Sequence, residues 1–238
     1  MTAKSFQILS LLLAYPTVEI QAVSCEFGDI LSGEGLVPTE HLPALHRLVE
    51  EYRTHDLLDL QERYVLLFDR SRTLSLNLFE HIHGESRERG SAMVDLLETY
   101  RAAGFDLQSS ELPDHLPIFL EFLSTRPVAE AQSLIEDAGA VIAALAERLQ
   151  RRETPYAAVL AGLAEMARVP KSSARVAELL VIEDDDPEDL EALDEIWEEA
   201  EVTFGPDPNA GCPATRDMLS RMAPVPEKPN APRSAAAE

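Results

Sequence analysis

The sequence predicts an all-α protein, built as a single helical bundle with an acidic C-terminal extension. Three observations support this prediction. Glycine occurs only ten times in 238 residues, whereas Leu, Ala and Glu are abundant, and that composition favours helix. Apolar residues recur at the three- and four-residue spacing of amphipathic helices through most of the chain. No segment shows the apolar–polar alternation or the turn pattern that a strand or a hairpin requires.

The first 123 residues contain four apolar stripes with helical spacing, at residues 6–13, 57–68, 93–100 and 116–123. Residues that start or stop helices lie beside these stripes. Pro16 ends the first predicted helix, and Thr54 is the predicted N-cap of the second. The third begins after Ser86 and stops at Gly104.

Three further helices are predicted before residue 182. Residues 130–150 carry a long amphipathic stripe. Thr154 is the predicted cap of the next helix, with Pro155 in its first helical position. Val176 and Leu179 suggest one more helix. The connecting segments are short and contain the prolines, as expected for helices that bury one stripe each against their neighbours.

The composition changes after Ile182. The stretch "EDDDPEDLEALDEIWEEAE" has twelve acidic residues and no Lys or Arg, yet Leu190, Leu193, Ile196 and Trp197 form an apolar stripe. Such a segment either docks on the bundle or on a partner as an amphipathic helix, or stays a solvated acidic helix. We therefore predict a helical domain at 1–182, an acidic amphipathic segment at 183–204 and a disordered Pro/Ala-rich tail at 205–238.

The charge and the cysteines exclude several classes of function. A net charge of −23 repels nucleic-acid phosphates and anionic lipid, and favours a basic or dipolar peptide as partner. Cys25 and Cys212 are far apart and have no histidine at ligand spacing, which argues against a disulfide scaffold, a zinc site or an iron–sulfur cluster. No apolar run approaches the roughly 18 residues of a membrane span, and the N-terminus lacks a convincing cleavage site. A cytoplasmic protein is predicted.

The stretch "LFEHIHGESRERG", residues 78–90, has the composition of a metal site. His81 and His83, however, point about 200° apart on a helix, so they cannot share one metal ion there. Gly84 is a natural helix stop and Ser86 a natural N-cap, which favours a corner between two helices. The sequence also lacks nucleophile and phosphate-loop motifs, so we predict neither a metal site nor an enzyme.

A second dense stretch is "ELPDHLPIFLEFL", residues 111–123. Asp114 can cap the helix that follows it, and His115 lies at the start of that helix. An acid and a histidine over an apolar wall suit the recognition of a peptide with polar and apolar faces. Ordinary core packing with a helix cap explains the same residues.

These two stretches together carry a family resemblance. "YVLLFDRSRTLSLNLFEHIHGESRERGSAMVDLLETYRAAG" followed by "SSELPDHLPIFLEFL" resembles the TorD/DmsD/NarJ family of redox-enzyme maturation chaperones, and within it the group that assembles respiratory nitrate reductase. The FEH-x-HGESR-x-RG and ELPDHLP blocks occur together and at similar spacing. The resemblance covers roughly residues 1–200, and the Pro-rich tail lies outside it.

The resemblance implies a helical bundle of the TorD/DmsD type that is cytoplasmic, non-enzymatic and without a cofactor of its own. Its partner would be the catalytic (alpha) subunit of respiratory nitrate reductase. Members of this group bind the N-terminal segment of that subunit, a remnant of a twin-arginine signal. They keep the subunit competent for insertion of the molybdenum cofactor, before it is anchored at the membrane. Two alternatives stay open: a protein that delivers metal or molybdopterin through His81 and His83, and a structural subunit that remains in the complex.

The resemblance also suggests which residues bind the client. The Asp-His pair that the family links with leader-peptide binding corresponds to Asp114 and His115. Helix spacing adds five apolar neighbours to the predicted client-binding residues: Leu116, Phe119, Phe122, Tyr64 and Phe68. Residues of the other motif are secondary candidates for client contacts: Glu80, His81, His83, Glu85 and Arg87.

Overall fold

The structure, a computed structural model, describes residues 3–84, 86–170 and 172–185. Within these ranges the chain forms helices and a single isolated bridge between Asn77 and His115, with no strand, which confirms the all-α prediction. None of the helices in these ranges is long and apolar enough to cross a membrane.

The α-helices are, in chain order, α1 Lys4–Leu13, α2 Val18–Val23, α3 Phe27–Glu34, α4 Leu42–Thr54, α5 Leu57–Tyr64, α6 Leu78–His83, α7 Arg87–Ala102, α8 Leu116–Ser124, α9 Val128–Arg151, α10 Ala157–Met166 and α11 Ala174–Leu179. Two 3-10 turns, Ser24–Glu26 and Arg72–Leu74, connect neighbouring helices. A π turn, Val65–Asp69, continues α5.

The core is organised around two helix pairs. The first pair is α1 and α8, which pack closely on each other, and α1 also contacts α3 and α10. The second pair is α9 and α10, with α11 packed against α9. Almost every residue of α8 is buried, as expected of a helix that is apolar on all sides. Burying each Leu or Phe side chain contributes about 1.5–3 kcal/mol, so the two pairs supply much of the folding free energy.

Two tyrosines satisfy the carbonyl groups at the end of α1. The Tyr52 hydroxyl donates to the carbonyl of Leu12 at 3.3 Å, and the Tyr64 hydroxyl donates to that of Leu13 at 3.1 Å. The last carbonyls of a helix have no partner within it, and buried ones need a donor. These bonds therefore fix the C-terminal end of α1 against α4 and α5.

Two predicted helix starts are wrong by a few residues. Thr54 is the last residue of α4, and Asp56 is the N-cap of α5, where its carboxylate accepts from the Leu58 N–H at 2.8 Å. A carboxylate caps at least as well as a threonine and also suits the helix dipole. The helix predicted from Thr154 begins at Ala157, because residues 153–156 form the turn that leaves α9.

The start of the predicted acidic segment is bound to the bundle. The buried guanidinium of Arg148 donates to the carbonyls of Thr73 at 2.7 Å and Leu179 at 2.9 Å, and its Nε lies 2.9 Å from Asp184. The Asp185 carboxylate accepts from the Ser71 hydroxyl at 2.6 Å. The rest of the segment predicted at 183–204, and the tail predicted at 205–238, lie outside the described residues.

Candidate functional site

The main candidate site is a cleft of about 660 Å³ at one side of the α1–α8 pair. It is bounded by the end of α1, the end of α5, the loop at residues 105–111 and the start of α8. Apolar side chains from these four elements, from the segment after α1 and from α2 form its wall: Leu11, Ala14, Tyr15, Ile20, Tyr64, Phe105, Leu107 and Ile118. A concave, partly apolar site of this size can accept several side chains of a partner.

The π turn after α5 shapes one wall of the cleft. An aromatic chain connects this wall to the core, because Tyr64 packs edge-on to Tyr15 at 5.6 Å and lies 5.0 Å from Phe68. The turn then brings Asp69 to the cleft. π turns insert one extra residue into a helix and occur often at functional sites.

The cleft is strongly acidic. Four carboxylates line it, from Asp69, Asp106, Glu111 and Glu121, and no Lys or Arg occurs among the described residues of its lining. Burial raises the pKa of the Asp69 carboxyl, and the nearby charge of Glu111 raises it further. The part of this shift that comes from Glu111 is repulsion between two carboxylates, which a positive charge bound near them would relieve.

His115 is the one histidine in the cleft lining among the described residues. Burial lowers its pKa, although the charges of Glu111 and Asp114 partly oppose that effect. Its Nδ1 atom is buried and has no hydrogen-bond partner within the described protein. The other ring nitrogen of a neutral imidazole, Nε2, can donate or accept one hydrogen bond.

Asp114 caps a different helix from the one that the sequence predicts. Its side chain is fully buried, and it caps α6 by accepting from the Phe79 N–H at 2.9 Å. Its backbone carbonyl accepts from the Leu78 N–H at 3.1 Å. The predicted cap of α8 is therefore wrong. His115 holds the N-cap position of α8, without a side-chain bond, and the Asp114 carboxylate instead serves a helix 35 residues away.

The five apolar residues predicted beside the Asp-His pair are all buried: Leu116, Phe119, Phe122, Tyr64 and Phe68. Of these only Tyr64 reaches the cleft, and α8 instead contributes Pro117, Ile118 and Glu121 to the lining. The ring of Phe122 lies in the core, 4.6 Å from the ring of Tyr100. The structure thus brings His115 and Tyr64 together and places the other predicted residues behind the wall. Their contact with a client stays a prediction.

The secondary candidates Glu80 and His81 brace the loop before α6. The Glu80 carboxylate accepts from the Ser75 hydroxyl at 2.6 Å, and His81 Nε2 donates to the Ser75 carbonyl at 2.7 Å. Burial lowers the pKa of His81, an effect that the hydrogen bond to Ser75 opposes. These bonds occupy both side chains within the protein.

The remaining candidates of this motif lie on its outer side. The His83 ring packs edge-on to Phe79 at 5.7 Å, and its Nδ1 lies 3.9 Å from a Glu88 carboxylate oxygen. Gly84 ends α6 and Ser86 is the N-cap of α7, so the predicted corner is confirmed. Among the described residues, neither His81 nor His83 belongs to a set of three ligand side chains. Glu85 and the side chain of Arg87 lie outside the described part of the chain.

Several cleft residues escaped the sequence reasoning. Tyr15 lies between α1 and α2, Ile20 is on α2, and Phe105 and Glu111 belong to the loop before α8. Their only local sign was the density of acids and apolar residues around position 111. The fold brings them together, because α1 packs along α8 and places its C-terminal end beside the loop.

Known proteins resemble this chain over most of its length. Residues 38–162 match the family described as nitrate reductase delta subunit. The chain is 43% identical over 218 residues to the nitrate reductase molybdenum cofactor assembly chaperone NarJ of Escherichia coli strain K12, covering 91% of each chain. A probable chaperone of the same name from Bacillus subtilis strain 168 is 31% identical over 156 residues, which is 66% of this chain and 84% of that one.

A solved structure shows a similar fold. A crystal structure of an Archaeoglobus fulgidus protein, assigned to the redox enzyme maturation proteins, superposes with a TM-score of 0.53. The match covers 71% of this chain and 95% of that one at 20% identity. At that identity the likeness concerns the fold alone, and it agrees with the predicted TorD/DmsD type of bundle.

Proposed function

Because this chain belongs to the nitrate reductase delta subunit family, we propose that it is an assembly chaperone, not an enzyme, and that its client is a respiratory nitrate reductase. In this proposal it acts in the cytoplasm on the catalytic (alpha) subunit. It binds the N-terminal segment of that subunit and keeps the subunit competent for molybdenum cofactor insertion before membrane anchoring.

The acidic cleft is the observation that supports this proposal. Its four carboxylates lie around an apolar wall, and the described residues of its lining include no Lys or Arg. An amphipathic helical segment with basic residues at one end complements such a surface, since its apolar face packs on the wall while its cations meet the acids. A volume of about 660 Å³ accommodates a few side chains of such a segment, not a folded subunit.

The proposal leads to a direct test by calorimetry. We expect a peptide with the N-terminal sequence of the alpha subunit to bind the full chain, and binding to weaken in a Glu111→Gln, Glu121→Gln double variant. These changes keep the size of the side chains and remove two charges. At about 0.2–1 kcal/mol for each solvent-exposed ion pair, the expected loss is about 2- to 30-fold at low salt. The loss should shrink in high salt, which screens exposed charges.

A matched control separates this cleft from the general acidity of the protein. Glu98 and Glu130 are exposed on α7 and α9 and do not line the cleft. A Glu98→Gln, Glu130→Gln variant changes the net charge equally, so it should keep the peptide affinity. Equal affinities of both double variants would show that the cleft is not the binding site.

A second experiment distinguishes a chaperone from a structural subunit that remains bound to the finished reductase. A chaperone should co-purify with the cofactor-free reductase and be absent from the mature enzyme. Pull-down from the native host with mass spectrometry of the two fractions measures this difference. Recovery of the chain in stoichiometric amounts with the mature, cofactor-loaded enzyme would contradict the proposal.

A further inference from the structure

Away from the cleft, three potential metal ligands meet where α4 begins and α10 ends. His41 holds the N-cap position of α4, directly after Glu40, and Glu165 is in the last turn of α10. The His41 Nε2 atom lies 2.9 Å from a carboxylate oxygen of Glu165 and 3.8 Å from one of Glu40. The three ligand atoms all lie within 4.8 Å of one another.

These separations suit one small divalent ion. In a tetrahedral site with bonds of about 2.0–2.1 Å to nitrogen and oxygen, ligand atoms are about 3.4 Å apart. The two separations from His41, 2.9 and 3.8 Å, lie about half an ångström on either side of that value. Small rotations of two glutamate side chains would therefore complete the geometry.

The three side chains divide into a fixed one and two adjustable ones. The His41 side chain is only 19% exposed, whereas those of Glu165 and Glu40 are 49% and 72% exposed. The backbone around His41 is also held, since its N–H donates to the Pro38 carbonyl at 3.0 Å. A partly buried imidazole thus provides a fixed ligand, and the two carboxylates can close on an ion that it holds.

The surroundings favour a cation. A groove of about 810 Å³ contains all three side chains, and Glu147 adds a further carboxylate to its lining. No Lys or Arg occurs among the described residues that line this groove, although Arg47 lines the adjoining one. Glu165 also lies at the C-terminal end of α10, where the helix dipole is negative.

We propose that Glu40, His41 and Glu165 form a binding site for one borderline divalent metal ion of the Zn²⁺ class. The imidazole nitrogen selects such an ion over Mg²⁺ and Ca²⁺, which prefer all-oxygen sites. With the ion bound, the start of α4 is tied to the end of α10, and water completes the coordination. This site is separate from the acidic cleft and does not depend on the client proposed above.

The test is a calorimetric titration of the tag-free full chain, freed of metal with a chelator, with Zn²⁺ and separately with Mg²⁺. We expect one equivalent of Zn²⁺ to bind and Mg²⁺ not to compete. His41→Ala and Glu165→Gln should each lower the Zn²⁺ affinity by at least about ten-fold, because loss of an outer-shell partner alone typically costs about 10–100-fold. At the same Zn²⁺ concentration, the Tm of the unchanged chain should also rise more than that of these variants.

Two further variants keep the test decisive. Glu40→Gln changes an exposed side chain that cannot upset the fold, so lower Zn²⁺ affinity in this variant reports on the site itself. His83→Ala removes the histidine of another surface His–Glu contact, for which no third ligand side chain was found among the described residues. This variant should leave Zn²⁺ binding unchanged. Equal binding by all of these proteins, or no saturable binding by the unchanged chain, would overturn the assignment.

Discussion

Replacing Asp114 with alanine should destabilise the whole bundle. The family resemblance makes this residue a client contact, but the structure places it inside the protein, where its carboxylate caps α6 through the Phe79 N–H. Alanine removes that acceptor and leaves a partly buried N–H group without this partner. The backbone bonds on either side, from Leu78 to Asp114 and from Leu116 to Leu76, should survive the change.

The magnitude follows from the type of bond that is lost. Loss of a helix cap costs about 0.5–2 kcal/mol, and a buried donor left without a partner costs about 1–3 kcal/mol. Both values describe the loss of the same hydrogen bond and are not added, so we expect the free energy of unfolding to decrease by about 1–2 kcal/mol. For a protein of about 150–250 residues, each kcal/mol lowers the Tm by about 2–4 °C, which gives a decrease of about 2–8 °C.

Urea unfolding followed by circular dichroism measures this loss, and Asp114→Asn is the matched control. Asparagine keeps an oxygen that can accept from the Phe79 N–H and removes only the charge, so this variant should stay within about 0.5 kcal/mol of the unchanged chain. An unchanged urea midpoint for Asp114→Ala, or equal destabilisation by both variants, would refute the capping argument. His115→Ala is the better probe of the cleft, because that ring reaches it.

Three further predictions concern stability. Arg148→Met should lower the free energy of unfolding by about 2–4 kcal/mol, measured in urea, because it leaves buried carbonyls without their charged donor. Burial lowers the pKa of His81 below its ordinary 6.5, so the unfolded chain binds a proton at this residue more readily than the folded chain does. The free energy of unfolding should therefore be at its full value above about pH 6.5 and decrease as the pH falls below it. In His81→Gln this decrease should be smaller. Gly139→Ala should destabilise the protein by about 1–3 kcal/mol, since the new Cβ would lie 2.7 Å from the Val169 side chain. Gly90→Ala on α7 places its Cβ in open space and should stabilise the protein by about 0.5–1 kcal/mol. Thermal unfolding of the two variants measures the difference.

The sequence predicts the helices well because their apolar stripes are local patterns. The long stripe at residues 130–150 corresponds to α9, Val128–Arg151, almost residue for residue. The ends are less certain, because several nearby residues can cap a helix. Thr54 and Asp56 both have side chains that can accept from a helix N–H. In the structure Thr54 belongs to α4 and its hydroxyl donates to the Glu50 carbonyl, whereas Asp56 caps α5.

The cleft is harder to predict, because an apolar stripe marks the side of a helix that becomes the core. On α8 the stripe contains Leu116 and Phe119, both buried, whereas Ile118 and Glu121 lie beside it and reach the cleft. Contacts between segments far apart in the sequence also position side chains, and no local sequence pattern predicts such contacts. The cap from Asp114 spans 35 residues.

The distribution of the arginines explains why the cleft keeps its negative charge. The chain has only 20 basic residues for 43 acidic ones, and several arginines are committed to internal contacts. Arg148 and Arg152 bind the aspartates at the end of the described chain, and Arg63 binds Glu51. These pairs neutralise acids inside and between helices, while no Lys or Arg occurs among the described residues that line the cleft. A basic client segment, as proposed above, would supply the positive charge that the described lining does not include.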